Sequence, residues 1–300
     1  MTPPNPHAKL WLFDFDNTLA ALEREVDWSG SRRTLEAYLH AEGVDQEIFA
    51  EIPKGNLPLY SALHSRWLRA PLRTPRIAMP PLATAESLLR HSSEIIERYE
   101  LIGAERAAPT PGAIGLLKAI ATCGACTIIV TSNSSRTVAR WLELHRIGNL
   151  VRAIVGRDSL LALKPSPEMI VRALALMTPF TANARSTVPA GESPTAATIP
   201  LSTVTAAPGI AKVSDIVATV AAAGGLAAAP AADAVFVGDS DADIGAARAA
   251  GLGFYGIATT EFARNRLIAA GAIEVFTSPA TLRIHLNLAT LKRTPETKPH

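Results

Sequence analysis

Hydrophobic positions along the chain form short, nearly continuous runs set between longer stretches of helical spacing. Leu10-Trp-Leu-Phe13 opens the series and stops at Asp14 and Asp16. Such a run predicts a strand buried on both faces of a parallel sheet. From Ala20 to Pro109 no strand-like run occurs. Thr34 to Ala41 and Glu86 to Ile102 space Leu, Ile and Tyr at helical intervals among charges, and Pro-containing connections such as Ile52 to Pro58 interrupt the pattern. This stretch predicts a helical module. Beyond Pro109 strands and helices alternate. Cys126 to Thr131, Val151 to Val155, Ala234 to Val237, Phe254 to Ala258 and Glu274 to Phe276 read as strands. Ser135 to His145, Pro167 to Met177 and Asp241 to Ala250 read as helices. The alternation implies βαβ units: an α/β, Rossmann-like parallel sheet with helices on both faces and sites at the carboxyl ends of its strands. The expected division is a core of residues 1–19 and 110–293 around an inserted all-helical cap domain at 20–109.

One segment departs from this texture. Between Thr181 and Lys212, 23 of 32 residues are Ala, Pro, Thr, Ser or Gly, and no aromatic occurs from Thr181 to Val235. Too little apolar surface is present there to offset chain entropy, so a loose insertion at about 181–212 is expected, with a short helix at Val213 to Ala223. The tail 294–300 is expected to fray.

Composition narrows the class. The chain has 300 residues, is 48% apolar, and balances 29 Lys+Arg against 27 Asp+Glu. That balance argues against nucleic acid or an anionic membrane as partner. Two Cys exclude a disulfide framework, and no apolar run reaches the ~20 residues of a membrane helix. Met1 to Lys9 lacks the hydrophobic stretch of a signal peptide. The expectation is a cytoplasmic globular protein.

Four features lie at, or a few residues beyond, predicted strand ends. Asp14-Phe-Asp16-Asn-Thr18 sends two carboxylates off one strand, a pairing that suits a nucleophile and a proton shuttle if their environments separate the two pKa values. By itself it also reads as an acidic loop or helix cap. Thr131-Ser132-Asn133-Ser134 offers hydroxyls and N–H groups at a helix start, an anion site or an ordinary N-cap. Lys164-Pro-Ser-Pro167 holds a lysine on a rigid turn, suited to a phosphate or simply exposed in a loop. Val235-Phe-Val-Gly-Asp239-Ser-Asp241-Ala-Asp243 feeds three acids onto a turn, where Asp239 and Asp243 can approach one Mg²⁺ site or decorate a helix start.

In this order the four signals resemble the haloacid dehalogenase superfamily of phosphohydrolases. The surrounding residues, Phe-Asp-Phe-Asp-Asn-Thr-Leu and Val-Gly-Asp-Ser-Asp-Ala-Asp-Ile among them, resemble the phosphoglycolate phosphatase-like branch, which carries a helical cap between its first two motifs. The resemblance implies that Asp14 forms an aspartyl-phosphate and that Asp16 is general acid and base, oriented by Thr18. It implies phosphate contacts from Thr18, from Thr131 or Ser132, and from Asn133 and Lys164. It implies Mg²⁺ held by Asp14, the Asp16 carbonyl and Asp239, with Asp243 a direct or indirect ligand. Its substrate would be a small phosphorylated metabolite, and its assembly a monomer or homodimer. The presence of Asp16 favours phosphate esters over haloacids. The low-complexity insertion departs from the branch, which has a short connection there.

Other signals are weaker. Cys123-Gly-Ala-Cys126 lacks the second pair or His of a zinc site. Gly251-Leu-Gly-Phe-Tyr-Gly256 precedes a strand where a dinucleotide loop follows one. Asp239/Asp241/Asp243 imitates an EF-hand, but Ile244 and Ala250 stand where Gly and Glu are needed. Within 20–109, Arg24, Trp28, His64 and Arg66 are candidates for leaving-group contacts, with Lys54, Asn56 and Tyr60 preferred. Each could equally pack or solvate the cap. A nucleotidase, a phosphomutase, or a non-catalytic protein binding a partner through the insertion are the competing readings.

Overall fold

The computed structural model describes residues 2–44, 55–68, 82–177 and 233–291, with residues 49 and 52. The insertion expected at 181–212, the helix at 213–223, the tail and Lys54 lie outside the described residues.

A six-stranded parallel sheet carries the fold. Its strands are β1 (Leu10–Phe13), β2 (Cys126–Val130), β3 (Ala153–Val155), β4 (Ala234–Gly238), β5 (Gly253–Ile257) and β6 (Glu274–Phe276), in the order β3-β2-β1-β4-β5-β6. Alternate side chains serve opposite faces, as the two-residue period of a strand requires. Leu10, Leu12, Ile128, Val130 and Phe236 enter one core, and Trp11, Phe13, Ile129, Val235 and Val237 enter the other. Both faces of the sheet are buried, which explains why these strands read as continuous apolar runs.

Helices α1 (Trp28–Ala41), α2 (Asn56–Leu68) and α3 (Leu82–Ala104) follow β1, and α4 (Ala113–Thr122) leads into β2. Then come α5 (Ser135–Leu144), α6 (Glu168–Ala175), α7 (Asp241–Ala249), α8 (Glu261–Ala269) and α9 (Pro279–Leu291). Helices α4, α5 and α9 send Leu117, Trp141 and Leu282 to the Trp11 face, and α6 and α7 send Met169 and Ile244 to the Leu12 face. Among the described residues, 20–109 contains helices and turns but no strand of the sheet. Leu35, Leu39, Leu59 and Leu63 from α1 and α2 continue the Leu12-side core, so the helical insertion and the sheet share buried surface.

Several elements differ from the sequence reading. Helix α1 starts at Trp28, before Thr34, because Asp27 caps it by accepting the Gly30 N–H at 2.8 Å. Helix α2 occupies ground read as a Pro-broken connection. Pro58 is its third residue, in the first turn, where an absent N–H costs no helical hydrogen bond. Helix α4 (Ala113–Thr122) lies in a stretch to which the sequence pattern assigns no element; its buried face is Ala113, Leu116, Leu117 and Ile120.

The strand order reverses between β1 and β4: β2 and β3 extend to one side of β1, and β4 to β6 to the other. Ligands of open α/β sheets bind at such a reversal, outside the carboxyl ends of the strands.

Candidate active site

Register assembles the site. Phe13 pairs with Ile129 on one side and with Val237 on the other, so Asp14 leaves β1 level with the ends of β2 and β4. The Asp14 N–H donates to Val237 O at 2.9 Å and the Thr131 N–H to Val155 O at 3.0 Å, which extends the ladders to the point where the chemical groups begin.

Lys164 reaches in from the connection after β3. Its Nζ donates to Asp14 Oδ1 at 2.5 Å and to Val130 O at 3.2 Å, and pairs with Asp243 Oδ1 at 2.5 Å. The ammonium lies 5.5 Å from the centroid of the Phe236 ring, so an aromatic floor of the sheet adds a weak cation–π contact. Burial favours loss of the Lys164 proton, but the carboxylates of Asp14 and Asp243 outweigh burial and hold the lysine charged.

Asp243 sits in the first turn of α7. Its Oδ2 accepts the Ser240 hydroxyl at 2.7 Å, the Ser240 N–H at 3.0 Å and the Asp239 N–H at 3.2 Å. The Ser240 side chain in turn caps the Asp243 N–H, a reciprocal capping box that fixes the turn bearing Asp239. Gly238 makes this possible: a Cβ there would lie 2.6 Å from the Asp243 carboxylate.

Asp14, Asp239 and Asp243 each place a carboxylate oxygen within 4.8 Å of the others. Burial lifts Asp14 to about 6, resisted by Lys164 and assisted by Asp243. Burial lifts Asp239 to about 9, with the charges of Asp14 and Asp243 adding to the rise. One ammonium thus faces three converging carboxylates. An all-oxygen set of this kind fits a hard divalent cation, which would relieve the repulsion that raises Asp239.

Asp16 lies beside this cluster and plays a separate part. Burial raises it to about 7, opposed by hydrogen bonding from the Glu23 N–H, which donates to Asp16 Oδ1 at 2.9 Å. The turn that presents it uses Asn17 at φ 57°, a left-handed conformation that Asn tolerates. Trp28 Nε1–H donates to Glu23 O at 3.0 Å and braces the same turn. Thr18, expected to orient Asp16, is fully buried, and its Oγ1 has no hydrogen-bond partner among the described residues. The hydrogen bonds to the Asp16 carboxylate come from the backbone N–H groups of Glu23 and Asn17.

At the end of β2, the Thr131 hydroxyl donates to Asn133 Oδ1 at 3.0 Å and accepts the Asn133 N–H at 3.1 Å. Asn133 Nδ2 donates to Glu100 Oε1 at 3.0 Å, so this side chain is engaged in holding the loop. Ser134 caps α5 by accepting the Thr137 N–H. Ser132 is half-buried, and its carbonyl accepts from Arg157 at 2.8 Å.

Three of the residues singled out in the helical insertion, Asn56, Tyr60 and His64, are buried and make contacts between elements. Asn56 Nδ2 donates to Ser31 Oγ at 2.8 Å between α2 and α1. The Tyr60 hydroxyl donates to Arg157 O at 3.5 Å, and His64 Nε2–H to Leu160 O at 2.9 Å, so α2 docks on the segment that leads to Lys164. Burial pushes Tyr60 up to about 12. Sequence reasoning missed Glu100 and Arg157, both wholly inaccessible. Arg157 lies two residues beyond the end of β3, so the strand-end rule that found the other groups points to it as well. Glu100 carries no such signal inside α3.

Residues 78–193 match the family model of haloacid dehalogenase-like hydrolases, and residues 209–278 match a second, HAD-hydrolase-like model. The chain belongs to the haloacid dehalogenase-like hydrolases. It is similar in fold to a protein of Bacteroides fragilis classed provisionally with these hydrolases, at 17% identity and TM-score 0.52, over 92% of this chain and 99% of that one. It is similar also to a Clostridium acetobutylicum protein whose phosphatase activity is a prediction, at 17% identity and TM-score 0.51, over 94% and 99%. No curated protein matches the sequence. Among the described residues no helix is long and apolar enough to cross a membrane.

Proposed function

We propose that this hydrolase is a Mg²⁺-dependent phosphatase of a small phosphorylated metabolite. The observation that carries the reading is the meeting of Asp14, Lys164 and Asp239 at the reversal of strand order, with Asp16 beside them raised to about 7 by burial. Asp14 and Asp239, with the Asp16 carbonyl, would hold the cation. Asp243 holds Lys164 and the Asp239 turn. When bound, Mg²⁺ supplies positive charge against the phosphoryl oxygens and keeps the carboxylates ionised.

Asp14 attacks phosphorus through a carboxylate oxygen as the P–O bond to the leaving group breaks. Protonated Asp16 gives its proton to the leaving oxygen. In the second step Asp16 takes a proton from water, the water oxygen attacks phosphorus, and the bond to Asp14 breaks to release inorganic phosphate. A pKa near 7 suits a group that must act first as acid and then as base at neutral pH. Lys164 and the hydroxyl of Thr131 or Ser132 hold the phosphoryl oxygens. The helices of 20–109 act as the cap over the site, excluding water and selecting the leaving group.

Trapping tests the covalent step. Rapid acid quench during turnover should yield a phosphoryl adduct on the peptide containing Asp14, absent from Asp14→Asn. Turnover with no adduct on that peptide under any quench time would remove Asp14 from the nucleophile's role.

A further inference from the structure

Arg157 and Glu100 are fully buried and paired, yet neither belongs to the four motifs. Arg157 Nη1 donates to Glu100 Oε1 at 2.8 Å, and Nη2 donates to Oε2 at 3.0 Å, a bidentate fork. The guanidinium has further acceptors. Nη1 also donates to the Ser132 carbonyl at 2.8 Å, and Nε donates to Ser93 Oγ at 3.1 Å. Glu100 accepts in addition from Asn133 Nδ2 at 3.0 Å and from the Ser134 N–H at 3.1 Å. Ser93 and Glu100 belong to α3, the last helix of the insertion, whereas Ser132 to Ser134 form the loop after β2.

The pair therefore grips the loop from outside at three successive residues. From Glu100 the grip passes through Asn133 to the Thr131 hydroxyl, which Asn133 both donates to and accepts from. Backbone bonds, Thr131 N–H to Val155 O at 3.0 Å and Arg157 N–H to Asn133 O at 2.9 Å, also hold the loop, but it is the pair that fixes the Asn133 side chain and, through it, the Thr131 hydroxyl. A hydroxyl binds an anion well only when it is already aimed at it. Buried ion pairs are a poor source of net stability, because desolvation cancels much of the attraction. A pair retained at that cost, with every donor of one partner spent on the loop or on α3, points to positioning.

We infer that the Glu100–Arg157 pair is a positioning unit for the phosphate-binding loop, fixing Thr131 to Ser134 from the last helix of the insertion so that phosphate affinity depends on how that helix is docked. The inference rests on the proposed phosphatase reading for the identity of the ligand, though the loop's geometry does not. Neither residue touches substrate. Their contribution is uniform across ground and transition states, so KM carries the effect and kcat is largely spared.

The test compares wild type with Glu100→Gln, Arg157→Lys and the double variant Glu100→Met/Arg157→Met, in the full chain with Mg²⁺. Single variants strand a buried charge or lose the fork, and one or both could fail to fold. The double variant removes both charges together and replaces them with apolar groups of similar length, an exchange that commonly preserves stability. Three readouts apply: KM against kcat on an aryl phosphate, the dissociation constant of inorganic phosphate, and amide hydrogen exchange at 132–137. The expected result is a double variant of near wild-type Tm, phosphate binding and KM weakened about tenfold, kcat within about threefold, and faster exchange at Ser134. Arg157→Lys, if folded, should lie between the two, since it keeps charge but not the fork. Wild-type phosphate affinity and wild-type Ser134 protection in a folded double variant would overturn the inference and leave the pair a purely structural one. If wild type releases no phosphate at all, the phosphatase reading fails by itself, and the exchange measurement still decides whether the pair holds the loop.

Discussion

Lys164 Nζ lies 2.5 Å from Asp14 Oδ1, joining the connection after β3 to the end of the central strand. Both side chains are almost inaccessible, so the contact is made where water screens little. Lys164→Ala would leave Asp14 and Asp243 facing one another with no cation from the chain. Breaking a buried pair of this kind costs about 3–5 kcal/mol. Loss of a charge aimed at the reacting phosphoryl group lowers kcat by on the order of 10²–10³-fold. Mg²⁺ should recover part of the stability of this variant and none of its turnover, which thermal unfolding with and without metal would check.

Asp239→Asn separates stability from catalysis in the opposite sense. The carboxylate is raised to about 9 by burial and by Asp14 and Asp243, so it is unwelcome in the metal-free protein. Its neutral amide should raise the metal-free Tm, by roughly 2–4 °C for each kcal/mol recovered. The variant should then lose both the Mg²⁺-induced rise in Tm and phosphate release. Chelation of the wild type should abolish turnover and lower Tm together.

Thr18→Val is expected to be tolerated. The hydroxyl is fully buried without a partner among the described residues, and Asp16 takes its hydrogen bonds from the backbone N–H groups of Glu23 and Asn17 instead. Replacing an unpaired buried hydroxyl by a methyl of the same shape leaves stability within about 1 kcal/mol or improves it. Turnover within about threefold of wild type would follow. A loss of a hundredfold would restore Thr18 to the part that motif resemblance gives it.

Acid stability should turn on Glu100. Burial by itself would raise this carboxyl, but the Arg157 charge and the hydrogen bonds it accepts from Arg157, Asn133 and Ser134 outweigh burial and hold it below the usual carboxylate range. A depressed folded-state pKa contributes stability that is present above the unfolded value, and that stability is lost as pH falls through the folded value. Wild type should therefore lose Tm steeply below about pH 4.5. Glu100→Met/Arg157→Met should show a flatter acid limb in the same titration.

Much of this architecture was legible because the sheet is buried on both faces. Leu10 to Phe13 and Ala234 to Val237 have no polar position to spare, and the acids that follow them stand out sharply. Asp14, Lys164, Asp239 and Asp243 could be anticipated as neighbours because parallel strands end together. Asn56, Tyr60 and Asn133 could not be placed so easily. Each is a polar residue on a helix or loop whose partner lies far away in the chain: Ser31 for Asn56, Arg157 for Tyr60, Glu100 for Asn133. Periodicity reports which face is apolar but not which polar group meets which. Helix α2 was hidden for a local reason, since Pro58 reads as a break unless the helix is known to start just before it.

Phosphate release from a panel of phosphorylated metabolites and an aryl phosphate, with and without Mg²⁺, tests the central claim most directly when Asp14→Asn is measured alongside. The account predicts release that requires both the metal and Asp14, with at least one metabolite well above the aryl phosphate. Folded, metal-loaded wild type that releases no more phosphate than Asp14→Asn on every compound would contradict it.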